Sequence, residues 1–456
     1  MKNTFIFIFF SVLLLPETGN TQSWMPVGAL GLSSGEAFYE SIAIDRTNMP
    51  YVAYQDAANG NKATVMKYNG SSWVNVGGAG FSGDLANYTQ IAINNSGTPY
   101  VVFQDGADTQ KITVMNFNGS SWVDVGAPGF SAGLVGPAFI AFDTFSTPYV
   151  AFEDDSLPVG SGPVTVMKYN GTRWVYVGSP RFTGGAQFLA LAISGSTPYV
   201  VFQDSHAGFK ATVMKFDGSN WVYVGTPGFS AGLVQSVSMV LKNDTPYVSF
   251  SDNANANKAT VMKYDGTNWV NVGVAGFTPA EADNVIIAID STSSTPYVAY
   301  SDVSTTPISA SVMKYNGSSW VNVGSAGFTT NLSNYIGMAI DNGGTPYVCY
   351  QGFTGGKKAS VMNFALPNGR LNISTSPSAS FSVFPNPGSG EFTIRFSDLQ
   401  DENATIVISN MLGEKVKEME ITTSKETNLK LNVPSGMYFI TVITENERLV
   451  SKILVE

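Results

Sequence analysis

The sequence predicts an all-β protein: a seven-bladed β-propeller closed by its N-terminal strand, followed by a small C-terminal β-sandwich. Two observations predict the propeller. A stretch of aromatic and β-branched residues around an Asn-Gly or Asp-Gly pair recurs along most of the chain, and all seven tryptophans lie in register with it, 47 to 52 residues apart. A repeat of this length that holds four short strands is typical of a propeller blade.

The repeat is clearest in segment 63–77, where two β-rich runs flank Asn69-Gly70. This pair favours a tight hairpin, because both turn residues need a positive φ. The first period is predicted to hold four strands, at 41–45, 51–55, 63–68 and 72–76.

An aromatic pair marks each period. The tryptophans are Trp24, Trp73, Trp122, Trp174, Trp221, Trp269 and Trp320, and in six copies a phenylalanine follows eight residues later, at Phe81, Phe130, Phe182, Phe229, Phe277 and Phe328. Large aromatic side chains would fill the widening gap between neighbouring blades. A ring of seven ligand platforms is the alternative interpretation.

The two ends of the repeat region complement each other. Residues 24–28 read as a fourth strand without the first three, and residues 335–364 give three strands with no tryptophan after them. We therefore expect the N-terminal strand to complete the last blade, because a closed ring leaves no exposed sheet edge.

Composition excludes several functions. A net charge of −10 argues against nucleic acid and anionic membrane as partners. Cys349, the only cysteine, occupies a strand position that is small in other copies, which indicates a core residue and not a catalytic thiol. His206 is the only histidine, so a histidine metal cluster is excluded and a Ser-His-Asp triad is disfavoured. No cofactor is predicted, and no metal site can be assigned.

Both ends carry further segments. Residues 1–21 read as a secretory signal peptide, with Lys2 before a short apolar run, and no transmembrane segment is expected in the mature chain. The propeller is predicted at 22–366 and a Ser/Thr/Pro/Asn-rich linker at 367–380. The remainder, 381–456, lacks the repeat, and alternation predicts strands at 391–396, 404–409, 428–433 and 438–444.

The C-terminal segment contains ordered motifs: Phe-Pro-Asn-Pro, a turn with Asn410 and Gly413, Pro-Ser-Gly-Met-Tyr, and a basic-apolar end. The motif residues are Pro385, Asn386, Pro387, Gly390, Gly413, Gly436, Tyr438 and Lys452. This pattern resembles the C-terminal sorting domain of type IX (Por) secretion cargo. The resemblance implies a partner, the type IX secretion machinery, and export through the periplasm to the outer surface of a Gram-negative bacterium, or release from it.

A repeated carboxylate is the first candidate site. Six copies end their second strand with aspartate, at Asp56, Asp105, Asp154, Asp204, Asp252 and Asp302. A ring of these carboxylates would bind a cation or a polyol. The alternative is local, because aspartate at such a position caps a turn by accepting backbone N–H bonds.

One acidic group differs between repeats. Glu153, Asp154 and Asp155 adjoin the longest insertion, and Glu153 replaces the Gln or Ser of other copies. Cleavage of glycosidic bonds needs two unlike carboxyl groups. Glu153 and Asp154 should point to opposite strand faces, which favours a solvated loop end, and no catalytic residue is assigned.

The loops that follow the second strands, at 56–62, 157–163, 205–210 and 303–309, vary between copies and share one face of the predicted propeller. The sequence favours a secreted or cell-surface binding protein whose ligand is a glycan or another surface polymer, held through repeated weak sites on this face. A polysaccharide-degrading hydrolase or lyase is the first alternative, and a structural surface protein is the second. Binding predicts many equivalent sites, whereas an enzyme predicts one unlike cluster at the propeller axis.

Overall fold

The computed structural model describes residues 22–155, 162–329, 332–353, 356–365, 380–397, 403–410, 415–423, 426–443 and 448–456. These residues belong to two compact units, divided between positions 367 and 368. The predicted signal peptide, residues 1–21, and most of the predicted linker lie outside the described residues. No helix in the described part of the chain is long and apolar enough to cross a membrane.

The first unit is built from seven four-stranded antiparallel sheets, consistent with the blades of a β-propeller. The inner strands are Ala37–Ile44, Ala86–Ile93, Val135–Phe142, Ala186–Ser194, Val234–Lys242, Ala282–Ile289 and Leu332–Ile340. The second strands are Pro50–Asp56, Pro99–Asp105, Pro148–Asp154, Thr197–Asp204, Thr245–Asp252, Pro296–Asp302 and Pro346–Gly352. We number the sheets 1 to 7 in this order.

The third strands are Lys62–Tyr68, Lys111–Phe117, Val164–Tyr169, Lys210–Phe216, Lys258–Tyr264, Ser309–Tyr315 and Lys358–Ala365. The outer strands of sheets 1 to 6 are Trp73–Asn75, Trp122–Asp124, Trp174–Tyr176, Trp221–Tyr223, Trp269–Asn271 and Trp320–Asn322. Among the described residues, short 3-10 turns follow three of the second strands, at Ala57–Asn59, Ser205–Ala207 and Asn253–Asn255.

Sheet 7 takes its outer strand from the beginning of the chain. Ser23–Pro26 pairs antiparallel with Lys358–Ala365, with Trp24 opposite Phe364. Each inner strand contacts the inner strand of the next sheet, and that of sheet 7 contacts that of sheet 1. The strand that sheet 7 lacks in its own stretch of sequence is therefore supplied by residues 23–26.

The inner strands begin earlier than the sequence pattern predicts. In sheet 1 the strand was expected at 41–45, but it covers Ala37–Ile44 and contains a β-bulge between Phe38 and Ser41. The bulge places two residues opposite one on the neighbouring strand, which breaks the period-two alternation of side chains. A prediction based on alternation therefore misses these first residues.

The tryptophans join neighbouring sheets. Each indole N–H donates to a valine carbonyl of the preceding sheet, as Trp174 does to Val125 at 2.7 Å. The same indole stacks on a phenylalanine of that sheet, Phe130, with ring centroids 4.3 Å apart. All seven indoles make the equivalent hydrogen bond, at 2.7–2.8 Å. This geometry supports the core-packing interpretation over the ring of ligand platforms.

Cys349 lies in the second strand of sheet 7 and is fully buried. Burial raises the pKa of its thiol. It packs with Ile42 and Val52 of sheet 1 in one hydrophobic cluster. This environment agrees with the prediction of a core residue.

The second unit has two antiparallel sheets. The three-stranded sheet contains Ser380–Phe384, Glu391–Ser397 and Thr427–Lys430, and the four-stranded sheet contains Asn403–Asn410, Lys415–Thr422, Gly436–Ile443 and Arg448–Val455. Ile394 of the first sheet and Ile406 and Ile440 of the second, all fully buried, belong to one core. Two sheets that share a core are what the predicted sandwich requires.

Candidate functional site

The six repeated aspartates are buried at the ends of the second strands, each residue at most 5% exposed. In sheet 5, one oxygen of Asp252 accepts the backbone N–H of Ala254 at 3.1 Å. Its other oxygen accepts the hydroxyl of Thr260 at 3.1 Å. The bond to a hydroxyl of the third strand recurs in all six sheets.

The hydroxyl extends this contact to the loop that follows the outer strand. Thr260 accepts the backbone N–H of Gly276 at 2.9 Å, so Asp252, Thr260 and Gly276 form a chain of hydrogen bonds. Such a chain fixes the end of the second strand and the following loop together. The geometry favours the turn-cap role, and ligand binding by the six aspartates stays a prediction.

The bulges place a different set of residues at the beginnings of the inner strands, the same end of the sheets as the aspartates. We call this end the mouth and define it by Tyr39, Tyr88, Pro137, Phe188, Ser236, Asn284 and Tyr335. Six of these seven, all except Pro137, have φ between 50° and 54°, a region that residues other than glycine seldom adopt. The repeated bulge thus presents one side chain from each inner strand.

Three neighbouring sheets supply tyrosine at the mouth. The ring of Tyr39 lies 4.7 Å from that of Tyr88 and 4.9 Å from that of Tyr335, at interplanar angles of 51° and 56°. All three side chains are partly exposed. Burial, and then the neighbouring phenol Tyr335, raises the pKa of Tyr39. The three rings form a continuous aromatic surface across sheets 7, 1 and 2, which we call the tyrosine arc.

Amide side chains connect the inner strands beside this arc. Gln55 donates to Asn87 at 2.7 Å, and Asn87 donates to Gln104 at 2.9 Å. Gln104 then donates to the carbonyl of Val135, the first residue of the inner strand of sheet 3, at 2.6 Å. These bonds restrain three adjacent sheets, so the tyrosines rest on a rigid support.

Two carboxyl groups continue the arc in sheet 3. Oε2 of Glu153 and Oδ2 of Asp155 lie 3.1 Å and 3.5 Å from the point where a Cβ on Gly136 would stand. Because Gly136 has no side chain, the carboxyl groups of Glu153 and Asp155 can both approach the same space above its Cα atom. Their charges, after burial and Tyr39, raise the pKa of Tyr88 in the neighbouring sheet 2.

The environment of Glu153 favours its neutral form. Burial, and then the charge of Asp155, raises the pKa of Glu153 to about 8. Asp154 behaves differently, because it forms an ion pair with Arg181 at 3.0 Å and accepts the hydroxyl of Thr165. Of the three acids singled out in the sequence, Glu153 and Asp155 lie close together in the structure. The side chain of Asp154 points away from them and contacts Arg181 and Thr165 at the end of the strand.

Glu40 adds a buried carboxyl at the junction of sheets 7 and 1. It is 6% exposed, and neither side-chain oxygen has a hydrogen-bond partner in the described part of the chain. Burial raises its pKa well above the usual range. The corresponding residue of sheet 2, Thr89, donates its hydroxyl to the carbonyl of Tyr39 at 2.8 Å.

The mouth thus combines aromatic faces, amides and carboxyls of raised pKa in one unlike cluster. Within the described residues, no group of three or more His, Cys, Asp or Glu side chains is arranged to hold a metal ion. Sequence reasoning had named Glu153 and Asp155 but missed Tyr39, Tyr88, Tyr335 and Glu40. The sequence does contain one indication of the tyrosines: three repeats have tyrosine at the same position, shortly before the small central residues of the inner strand.

Comparison with solved structures gives distant neighbours. A polysaccharide lyase described as an ulvan lyase is 12% identical over 75% of this chain and 96% of its own, with a TM-score of 0.49. The Aleuria aurantia lectin is 16% identical over 64% of this chain and 97% of its own, with a TM-score of 0.43. Their ligands are not transferred to this chain, because fold similarity does not imply function. No curated protein matches the sequence.

The second unit holds its final strand through the predicted sorting motif. Asn386 donates to the carbonyl of Lys452 at 2.8 Å and accepts the N–H of Leu454 at 2.9 Å. Tyr438 donates its hydroxyl to Pro434 at 2.9 Å. Gly390 has a φ of +93°, and a Cβ there would stand 2.6 Å from the carbonyl oxygen of Leu431. Gly413 lies outside the described residues.

Residues 382–456 match the family of secretion system C-terminal sorting domains. This match confirms the resemblance drawn from the motifs. The C-terminal segment of this chain is a sorting domain of the type IX kind, and the protein that carries it is secreted or displayed at the cell surface.

Proposed function

We propose that this protein is an exported binding protein, with residues 22–366 forming a closed seven-bladed propeller that binds a glycan at the mouth. The tyrosine arc is the observation that carries the proposal. A sugar ring has an apolar C–H face and a rim of hydroxyls. Aromatic rings pack against the apolar C–H face, and carboxyl and amide groups form hydrogen bonds with the hydroxyls.

The mouth suits a single ligand per chain more than repeated weak binding. Tyrosine comes from sheets 7, 1 and 2, whereas sheets 5 and 6 supply Ser236 and Asn284 at the same position. An asymmetric surface of this kind orients an extended polymer in one direction. Its rigid amide support reduces the entropy lost on binding, which favours affinity.

The test is a glycan array probed with the full chain and with Tyr88→Ala. The variant is expected to lose at least about tenfold in affinity, which corresponds to about 1.4 kcal/mol. Tyr223→Ala is the matched control, because Tyr223 is an exposed tyrosine of an outer strand, away from the mouth. Equal binding by all three proteins would refute the proposal.

Cleavage of the bound glycan is a second candidate function, favoured by one observation. Glu153, with a pKa of about 8, holds its proton at neutral pH beside a second carboxyl, Asp155. Protonation of a leaving oxygen by one carboxyl and action of another as base or nucleophile is how many glycosidases work. Release of reducing ends that stops in Glu153→Gln, with binding kept, would establish this function. Binding without release would leave the protein as a binder only.

A further inference from the structure

We infer a second ligand site, for a neutral hydroxylated ring such as a pyranose, in a cleft between sheets 2 and 3. This cleft, the sheet 2–3 cleft, has a volume of about 630 Å³. It is lined by Tyr100, Asn116 and Asp124 of sheet 2 and by Phe145 and Lys168 of sheet 3. It lies at the ends of the inner strands opposite to the mouth, so it goes beyond the proposed function.

The floor of the cleft is rigid. The indole of Trp174 donates at 2.7 Å to Val125, which lines the cleft, and stacks on Phe130, so it joins the two sheets. Tyr169, which also lines the cleft, packs against Trp174 with ring centroids 5.7 Å apart. A ligand would therefore meet a preformed surface, as small-molecule sites usually provide.

The loop that carries Phe145 is equally constrained. Asp143 accepts the backbone N–H of Phe145 at 2.9 Å and that of Thr147 at 2.8 Å. Asn95 of the neighbouring sheet donates its amide to the carbonyl of Asp143 at 3.1 Å. These bonds hold the phenylalanine outward at the rim of the cleft.

Phe145 lies largely outside the core of the fold. Its side chain is 82% exposed, the highest value among the exposed large hydrophobic residues of the described chain. The corresponding residue in the next cleft, between sheets 1 and 2, is Ser96, and that cleft has a volume of about 560 Å³. An aromatic ring at the rim distinguishes the sheet 2–3 cleft from its neighbour and offers an apolar face to a ligand.

The charges of the cleft define the ligand class. Lys168 and Asp124 have opposite signs, so the cleft does not favour an anionic polymer, which would require several cations. The amide of Asn116 and the hydroxyl of Tyr100 can both donate and accept hydrogen bonds. The rings of Phe145 and Tyr100 offer faces for the apolar side of a sugar. Together these groups fit a neutral, hydroxyl-rich ring.

In the test, the full chain is titrated with the methyl glycosides of glucose, galactose, mannose, fucose and N-acetylglucosamine. Binding is measured by calorimetry and by ligand-observed NMR. A dissociation constant of about 1 mM is expected for a ligand of this size. Phe145→Ala should weaken binding at least about tenfold, and Asp124→Asn should also weaken it. Phe353→Ala is the matched control, since Phe353 is 60% exposed in sheet 7, and it should bind as the unchanged chain does.

Tyr88→Ala separates this site from the mouth. A sugar bound in the sheet 2–3 cleft is retained by Tyr88→Ala and lost by Phe145→Ala, whatever the outcome at the mouth. If no glycoside binds, or if binding survives in both Phe145→Ala and Asp124→Asn, the inference is wrong. Loss of binding in Tyr88→Ala alone would also overturn it, because the sugar would then bind only at the mouth.

Discussion

Glu40 differs from its counterparts in every other sheet, which carry a hydroxyl or a hydrocarbon at that position. A buried carboxyl without a partner costs free energy when it is ionised, because it loses the hydration of its charge. Burial, and then the charge of Glu40, raises the pKa values of Tyr335 and Cys349, both of sheet 7. Its protonation is therefore linked to the contact between the first and last sheets.

Glu40→Gln should make stability less dependent on pH. The pKa of Glu40 is raised in the folded chain, so the folded state keeps a proton that the unfolded state releases. The free energy of unfolding then falls as pH rises above about 4.5, and the variant lacks this fall. At pH 9 we expect the variant to be more stable than the unchanged chain by about 1–3 kcal/mol.

Denaturant melts of both proteins from pH 5 to pH 9 measure this difference. Glu36→Gln is the control, because Glu36 is exposed, and it should follow the unchanged chain at every pH. If Glu40→Gln and the unchanged chain lose stability in parallel, Glu40 does not titrate in the expected way.

At the scale of the elements, the sequence predicted what is regular and missed what departs from regularity. The hairpin at Asn69-Gly70 and the register of the tryptophans depend on local chemistry, and both correspond to observed strands and contacts. The expectation that both turn residues have a positive φ is wrong, because the loop covers 69–72 and only Gly70 of the pair has one. Asn69 instead caps the loop through its side chain. The bulge at Tyr39 does not follow the alternation, so the residues that it exposes could not be read from a period of two. The approach of Glu153 to Asp155 depends on the space above Gly136, which no local pattern reveals.

The hydrogen-bond chain at the end of the second strand gives a prediction for the aspartates. Asp252→Asn puts an amide N–H₂ where an oxygen accepts the hydroxyl of Thr260, and it should destabilise the chain by about 1–3 kcal/mol. Thr260→Val should cost a similar amount, because Gly276 then loses its acceptor. Thermal melts measure both. Asp265→Asn, in an exposed turn, should be neutral, since Asn69 occupies the same position in sheet 1.

The ligand-binding interpretation of the aspartates predicts the opposite pattern. If they form a binding ring, Asp252→Asn should keep full stability and lose affinity for the glycan identified on the array. The two measurements together therefore decide between a turn cap and a ligand ring.

The N-terminal strand gives the second prediction at this scale. A chain beginning at residue 29 lacks Trp24, whose indole donates to Val323 at 2.7 Å and stacks on Phe328 at 3.9 Å. It also leaves the strand Lys358–Ala365 at a sheet edge. We expect it to be less stable than the chain beginning at residue 22 by at least about 3–5 kcal/mol, the cost of removing a large buried aromatic residue.

Calorimetry of the two chains measures this loss. In the longer chain, Trp24→Phe keeps a ring for stacking but leaves the buried carbonyl of Val323 without its donor, so it should cost about 1–3 kcal/mol, less than the truncation. Equal stability of the chains beginning at 22 and at 29 would show that the ring does not depend on the N-terminal strand.

At the scale of the whole molecule, the candidate binding sites and the sorting motif lie in two units with separate hydrophobic cores. The first unit contains the mouth and the sheet 2–3 cleft, and the second contains the sorting motif around Asn386 and Lys452. Each unit has its own buried cluster, so each can be altered without removing the core of the other. Binding and export should therefore be separable by truncation.

A chain that ends at Ser380 should fold and bind its ligand but remain in the periplasm. The first compact unit ends at position 367, before this point. Without residues 382–456 the chain lacks the sorting domain, and we expect export to stop before the outer membrane. Cell fractionation with an antibody against the first unit measures the distribution between periplasm, surface and medium.

Asn386→Ala in the full chain is the matched variant. It removes both hydrogen bonds to the final strand, at Lys452 and Leu454, and should reduce surface delivery several-fold. A chain without residues 1–21 should stay in the cytoplasm, which separates the two export steps. Surface delivery of the truncated chain at the level of the full chain would show that the terminal domain is not required for export.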